Sequence, residues 1–422
     1  MEKHASKKTP NLNLTTKKSR INMNPVCGID IAKDELVATI LSDNFKETRK
    51  FGVKLDDLFE LKKWLKEKNC TQTIMESTGI YWIPIYASLE ESSFEVILAN
   101  PRQVKAIPGR KTDVKDSEWL ATLLRSNLVK PSYVPDANLR SLRSLTRLRA
   151  TLVQDQAGYK NKVHKILQLS NVRLDSEITD IFGKSGRILI GAIAKGENLD
   201  QALERCPASV QKNGEAIKTS VMGVLSQADL FQLRLCLGVV DEFDVKIGEV
   251  DSQIVAYVDE AVIEQLSSVP GVGFVSAAAV AAELGDVKRF ADEKAVCNYC
   301  GITPSLRQSG KKRWNGHISK HGSRWLRRVL VQCALAAIKV RDSRFKEFYL
   351  RVKARRGHGI AIVALARKML GVMYHLLATG EVFFEEGLKS KRRQKVIKAR
   401  DLLVPFEEAL GLLVRAGYVA AK

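Results

Sequence analysis

Residues 26–42 read Val-Cys-Gly-Ile-Asp-Ile-Ala-Lys-Asp-Glu-Leu-Val-Ala-Thr-Ile-Leu-Ser. One apolar run breaks at Lys-Asp-Glu and resumes with Leu36, Ala38 and Ile40 alternating, the pattern of a buried strand turning back as a hairpin. Working outward, Leu58, Leu61, Trp64 and Leu65 have helical spacing within 55–68. A short strand over 71–75 ends at Glu76, a helix fits 82–91, and a strand over 94–99 is closed by Asn100-Pro101. A further helix over 113–129 carries Trp119, Leu120, Leu123 and Leu124 on its apolar face. Strands alternating with helices predict an α/β sheet sandwich over about 26–130.

The middle of the chain is helical. Leu139, Leu142, Leu145, Leu148 and Leu152 form one stripe, with arginines from Arg140 to Arg149 on the other faces. After an irregular stretch near 180–225, Leu233, Cys236, Val240, Phe243, Ile247, Val250, Ile254 and Tyr257 alternate steps of three and four. That is a heptad seam, fitting an antiparallel hairpin, a dimerising coiled coil, or a helix packed on the chain's own core. The expected fold class is therefore α/β plus all-α. A flexible basic tail (1–24) precedes an α/β domain (25–132), a helical coiled-coil middle with an insert (133–262), and a helical C-terminal domain (263–422).

The 422 residues carry a net charge of +21. The excess is localised: 1–24 hold six basic side chains against Glu2, and 301–356 hold sixteen against Asp342 and Glu347. Such clustering suits a polyanion-binding surface. The apolar stretches 275–282 and 361–366 fall short of the ~20 residues a membrane span needs. The N-terminus lacks the apolar core of a secretory signal. Seven scattered cysteines suggest a reducing compartment. Cys297 and Cys300 have metal-ligand spacing, but no second pair completes a zinc site, and a structural role is the expectation.

Four acids of the first domain could build a cation site. Asp30 sits in Gly-Ile-Asp-Ile on a strand expected to be buried, where an unpaired carboxylate is costly. Glu76 ends the next strand, and Asp113 and Asp116 stand three apart at a helix start, on one face. Each alone has an ordinary explanation, the helix acids as partners of the macrodipole. Together they offer hard oxygen ligands for two Mg²⁺ ions and in-line chemistry on a phosphate.

Two further stretches bear on nucleic acid. Val269-Pro270-Gly271-Val272-Gly273 lies between helices and reads as a helix-hairpin-helix, in which Gly271 and Gly273 expose backbone N–H groups to a phosphate. An ordinary interhelical turn is the alternative. Residues 301–328 mix glycine, four serines and cations without apolar periodicity until Trp325, and read as a phosphate-wrapping loop. Arg307, Lys311, Lys312, Arg313, Lys320, Arg324, Arg327 and Arg328 are its candidate contacts. Spacing alone does not single out one serine as a nucleophile.

In this order the blocks resemble the DEDD-type insertion-sequence transposases, the family related to the Piv DNA invertases. The N-terminal match is Gly-Ile-Asp-Ile-Ala-Lys, Met-Glu-Ser-Thr-Gly-Ile-Tyr-Trp, Asn-Pro and Lys-Thr-Asp-Val-Lys-Asp. The C-terminal match is Val-Pro-Gly-Val-Gly, Gly-Ile-Thr-Pro, Gln-Ser-Gly, Ile-Ser-Lys-His-Gly and Trp-Leu-Arg-Arg, and the resemblance covers about 26–380. It implies a RuvC-like RNase H fold whose acids, matched by Asp30, Glu76, Asp113 and Asp116, bind Mg²⁺. It also implies a serine, matched by Ser309, that forms a transient phosphoserine link to DNA. A structured guide RNA from the element's flank would pair with donor and target DNA. Family members act as dimers and tetramers in which the RuvC-like site of one subunit meets the serine domain of another, making the heptad seam a dimer contact. The basic tail and the long insert depart from the compact family pattern.

The expected function is an RNA-guided, Mg²⁺-dependent transposase, cytoplasmic and nucleoid-associated in a bacterium, with no membrane partner. The alternatives are a site-specific DNA invertase with the same site, a hydrolytic junction nuclease, and a non-catalytic nucleic-acid-binding protein.

Overall fold

The computed structural model describes residues 24–77, 79–106, 113–310 and 312–384, without the side chains of 105, 106, 113–115, 306, 307, 309, 313 and 315. The basic tail of 1–23 lies outside the described residues. Two compact units follow, the first ending at Val134 and the second beginning at Pro135.

The first unit is built on β1 (Val26–Ile31), β2 (Glu35–Leu41), β3 (Lys46–Gly52), α1 (Leu55–Glu67), β4 (Gln72–Glu76), α2 (Trp82–Glu91), β5 (Glu95–Ala99), α3 (Pro101–Ala106) and α4 (Asp113–Arg125). The strands form one sheet in the order β3-β2-β1-β4-β5. β1, β2 and β3 are antiparallel neighbours, whereas β4 and β5 run parallel to β1. Leu58, Leu61 and Trp64 of α1 and Ile85 and Leu89 of α2 cover one face, against Ile29, Ala38 and Met75. Leu120 and Leu123 of α4 cover the other, against Ile74. This topology is compatible with an RNase H-like fold. The edge strand β3 was not expected, because Lys-Glu-Thr-Arg-Lys-Phe-Gly is mostly polar, with Lys46, Arg49 and Lys50 exposed and Glu47 half-buried. Its Glu47 accepts from Lys68, Arg49 and Trp64, with the Lys68 hydrogen bond the largest influence holding the carboxyl down at about 2.

The second unit opens with α5 (Ala137–Leu169), whose first turn is capped by Asp136 accepting from the Leu139 amide at 2.8 Å. Five short helices follow: α6 (Leu174–Glu177), α7 (Lys184–Lys195), α8 (Leu199–Glu204), α9 (Ala208–Gln211) and α10 (Gly214–Ser220). They share their own core around Leu174, Leu189, Ile190 and Leu203, which also takes in Val163 and Leu233 of the flanking long helices. The insert is thus a small helical layer rather than an irregular loop. α11 (Gln227–Val255) begins at a reciprocal Ser226–Asp229 capping box.

α5 and α11 pair within the chain and run antiparallel: Arg149 meets Asp251, Gln156 meets Asp244, and Tyr159 meets Phe243. Leu233, Cys236, Val240 and Ile254 of the seam are buried. Much of the heptad pattern is therefore spent inside one subunit.

The remaining elements are α12 (Glu260–Ser267), α13 (Phe274–Leu284), α14 (Glu293–Cys300), β6 (Pro304–Ser309), β7 (Lys312–Ile318), α15 (Arg324–Ala337), α16 (Arg344–Arg356) and α17 (His358–Thr379). The expectation of an all-helical C-terminal domain, with a loop over 301–328, is corrected by the antiparallel β6–β7 hairpin. Its polar strands carry no two-residue apolar period to reveal them.

α17 also corrects the sequence reading. It is long and apolar enough to cross a membrane by length and composition alone, yet half of its apolar window is buried in the protein. Ala361, Leu365, Met369 and Met373 lie at the centre of a core shared with α13, α14 and α15, which accounts for an apolar surface on nearly every side.

Candidate functional site

The four acids of the first unit are placed by its sheet and by α4. The β1–β4 ladder pairs Ile29 with Met75, so the next step along each strand sets Asp30 beside Glu76. Ile29 and Met75 face α1 and α2; strand alternation turns Asp30 and Glu76 to the α4 face, with Gly28 and Ile74. α4 runs antiparallel to β1. Ser117 in its second turn hydrogen-bonds Thr39, the β2 partner of Gly28, at 2.7 Å, and Arg125 at its far end pairs with Asp43 beyond β2. The start of α4, with Asp113 and Asp116, therefore lies toward the end of β1 that carries Asp30.

Gly28 allows this approach. A β-carbon there would meet the Ser117 carbonyl at 2.0 Å and the Ala121 nitrogen at 2.5 Å. Asp30, Glu76 and Asp116 are all half-buried. Among the described residues, no three Asp, Glu, His or Cys side chains stand close enough to form a ready cation cage. The Asp113 side chain lies outside that description. The donors offered are all carboxylate oxygens, the chemistry a hard divalent cation takes, with neither thiol nor imidazole among them.

In the second unit, Ser309 is the last residue of β6 in the β6–β7 hairpin, and Gly310 follows it at φ +55°. Register sets Ser309 opposite Lys312, Arg307 opposite Trp314, and Gln308 opposite Arg313. Lys312 and Trp314 are exposed. Lys311 lies outside the described residues. The hairpin's root is built closely: Ser319 N–H donates to Thr303 at 2.9 Å and Lys320 N–H to Gly301 at 3.1 Å. A β-carbon on Gly301, at φ +73°, would meet the Gly322 nitrogen at 2.7 Å, and one on Gly322 would meet the Tyr299 carbonyl oxygen at 1.9 Å and the Cys300 carbonyl carbon at 2.5 Å.

The basic residues singled out from sequence divide in two. Lys320 and Arg324 are exposed, as is Arg328, which also donates to Gln154 of α5 at 3.0 Å. Arg327 is turned into the hairpin root, donating to the carbonyls of Cys300 and Gly322 at 3.0 and 2.8 Å. It serves the fold. Gly271 likewise packs against α15, 2.4 Å separating its ideal β-carbon from the Ala337 nitrogen, whereas Gly273 is the exposed N-cap of α13. The sequence reading missed the root contacts of Gly301 and Gly322; their signal was a pair of glycines flanking the basic stretch.

Cys297 and Cys300, like the other five cysteines, are buried free thiols. Burial raises both, Cys300 to about 12.

Residues 27–171 match a family model for the DEDD transposase domain of the IS110 type. Residues 263–350 match a second, described as transposase IS116/IS110/IS902 family. The chain belongs to the IS110/IS116 family of transposases. The first match in this transposase takes in the sheet, α4 and α5, and the second takes in the turn at Gly271, the hairpin and α15.

A probable family 20 transposase of Pseudomonas aeruginosa is 27% identical over 72% of this chain and 83% of its own length. The uncharacterized 44.8 kDa protein of insertion element IS116 from Streptomyces clavuligerus is 24% identical over 74% and 86%. The transposase for insertion sequence element IS1111A of Coxiella burnetii is 32% identical over 33% of this chain and 40% of its own.

Proposed function

We propose that this transposase cuts and rejoins DNA through a transient phosphoserine link at Ser309, with Asp30, Glu76, Asp113 and Asp116 holding Mg²⁺ and an element-encoded RNA choosing the sites. The observation that carries it is the ladder step that puts Asp30 and Glu76 side by side on the face where α4 begins with two more acids. Mg²⁺ held there would act as a Lewis acid, stabilising charge on the scissile phosphate and the departing oxygen.

The chain's own residues do the rest. The Ser309 oxygen bonds to phosphorus as the bond to the leaving sugar oxygen breaks; serine gives up a proton and the sugar oxygen gains one. Attack by another strand's hydroxyl reverses the exchange, so bond energy is kept and no ATP is needed. Arg307, Lys311, Lys312 and Arg313, close to Ser309 in the sequence, offset charge as it builds on the phosphate. The exposed amide at Gly273 grips a neighbouring phosphate without reading sequence. Base pairing with the guide RNA supplies that reading, and copies of the chain assemble to bring two DNA partners together.

The test is to incubate the protein with Mg²⁺, flank RNA and labelled donor DNA, and then denature. A protein–DNA adduct lost in Ser309→Ala is the expected result. Free nicked DNA with no adduct, unaffected by that substitution, would make the protein a hydrolytic nuclease.

A further inference from the structure

Glu283, in the last turn of α13, is a charged residue only 2% exposed. Removing a carboxylate from water is costly and apolar packing alone would hold a helix, so its partners matter. Arg147 of α5 meets it with both prongs, Nε to Oε1 at 2.7 Å and Nη2 to Oε2 at 3.1 Å. The Ser323 hydroxyl donates to Oε2 at 2.8 Å while also capping α15 by accepting from the Leu326 amide. Arg143 donates to the carbonyls of Ala282 and Glu283, and the Tyr299 hydroxyl to the latter at 3.3 Å. One buried carboxylate thus joins α5, α13 and the first residue of the α15 cap.

Ser323 directly follows Gly322, the residue wedged against Gly301 at the root of the hairpin. The network ends where the hairpin begins. A fully satisfied buried ionic network admits few arrangements, whereas apolar contacts tolerate sliding.

We propose that Glu283 is a positioning residue for Ser309, fixing the hairpin root to the α5–α13–α15 frame so that the serine is presented in one attitude. The proposal rests on the reading of Ser309 as nucleophile, and its test has an arm that does not.

In Glu283→Gln, hydrogen exchange at the Ser319 and Lys320 amides should rise about tenfold while amides in the middle of α17 keep their protection. Adduct formation should fall about tenfold with donor-DNA affinity unchanged, because misplacement costs rate rather than binding. Ser323→Ala, a lighter change that carries the test if the first variant does not fold, should move both readings the same way, and Ser323→Thr should restore them. Unchanged root exchange in Glu283→Gln and Ser323→Ala would overturn the proposal. So would root and α17 amides loosening together, which would make Glu283 a residue of general stability. An adduct that survives Ser309→Ala would instead overturn the nucleophile, and the assignment to Ser309 with it, while the exchange arm still reported on the root.

Discussion

A β-carbon on Gly28 would sit 2.0 Å from the carbonyl oxygen of Ser117, so β1 and α4 touch backbone to backbone. No side chain rotation relieves that contact. Gly28→Ala must push α4 off the sheet and with it the helix start that bears Asp113 and Asp116. We expect a loss of about 1–3 kcal/mol in stability, the usual cost of forcing a methyl into a packed site. Chemical denaturation measures it; an unchanged midpoint would mean that α4 does not lie against Gly28.

Asp113→Asn tests the acid site directly. The substitution keeps size and removes the charge a divalent cation needs, so strand cleavage should be abolished while nucleic-acid binding, seated on the basic residues, stays close to wild type. Gel-based cleavage and binding assays separate the two. Full cleavage by the variant would remove Asp113 from the site.

The cations that follow Ser309 in the sequence should show in the salt dependence of binding. Neutralising Lys311, Lys312 and Arg313 together removes up to three phosphate contacts, each worth about 0.9 in the slope of log K against log salt on duplex DNA. We expect a slope shallower by about 2–3. A slope equal to wild type would place the footprint on another face.

The first unit was largely legible in sequence because its strands and helices bury one face each. Ile29, Leu36, Ile40 and Met75 announce the sheet, and Leu58, Leu61 and Leu65 the helix upon it. Asp30 drew notice because an acid there interrupts an apolar strand, Glu76 because it ends the next strand, and Asp113 and Asp116 because they stand three apart at a helix start. β3, β6 and β7 were not legible, since a strand with both faces polar leaves no period. Arg327 and Gly271 read as nucleic-acid contacts because composition cannot tell a cation in solvent from one bonded to carbonyls, or a glycine bared to a phosphate from one pressed against a helix. Glu283 had a faint signal, a lone acid closing the apolar run Phe-Val-Ser-Ala-Ala-Ala-Val-Ala-Ala of α13.

The seam of α11 yields a prediction opposite to the one its heptads invite. Ile254 is wholly buried in the core that also holds Leu142 of α5. Ile254→Glu should therefore destabilise the single chain, by about 3 kcal/mol or more for an unpaired buried charge. Denaturation and light scattering together decide the matter. A smaller oligomer with unchanged stability would put this part of the seam between subunits.

The buried thiols set an alkaline limit. Burial raises Cys70 and Cys300 to about 12 and Cys333 to about 11 from the ordinary 9.0, so in the folded chain they stay protonated where the unfolded chain ionises. Their contribution is fully present below pH 9 and is lost as pH rises from there toward the folded values, at about 1.4 kcal/mol per pH unit for each thiol in that window. Cys300→Ala removes one such group. Its stability relative to wild type should be constant from pH 7 to 8.5 and should improve steadily from pH 9 to 10.5, because only wild type is still losing that term. Urea midpoints across the range measure the difference, and curves that stay parallel above pH 9 would mean that the Cys300 thiol ionises as readily in the folded chain as in the unfolded one.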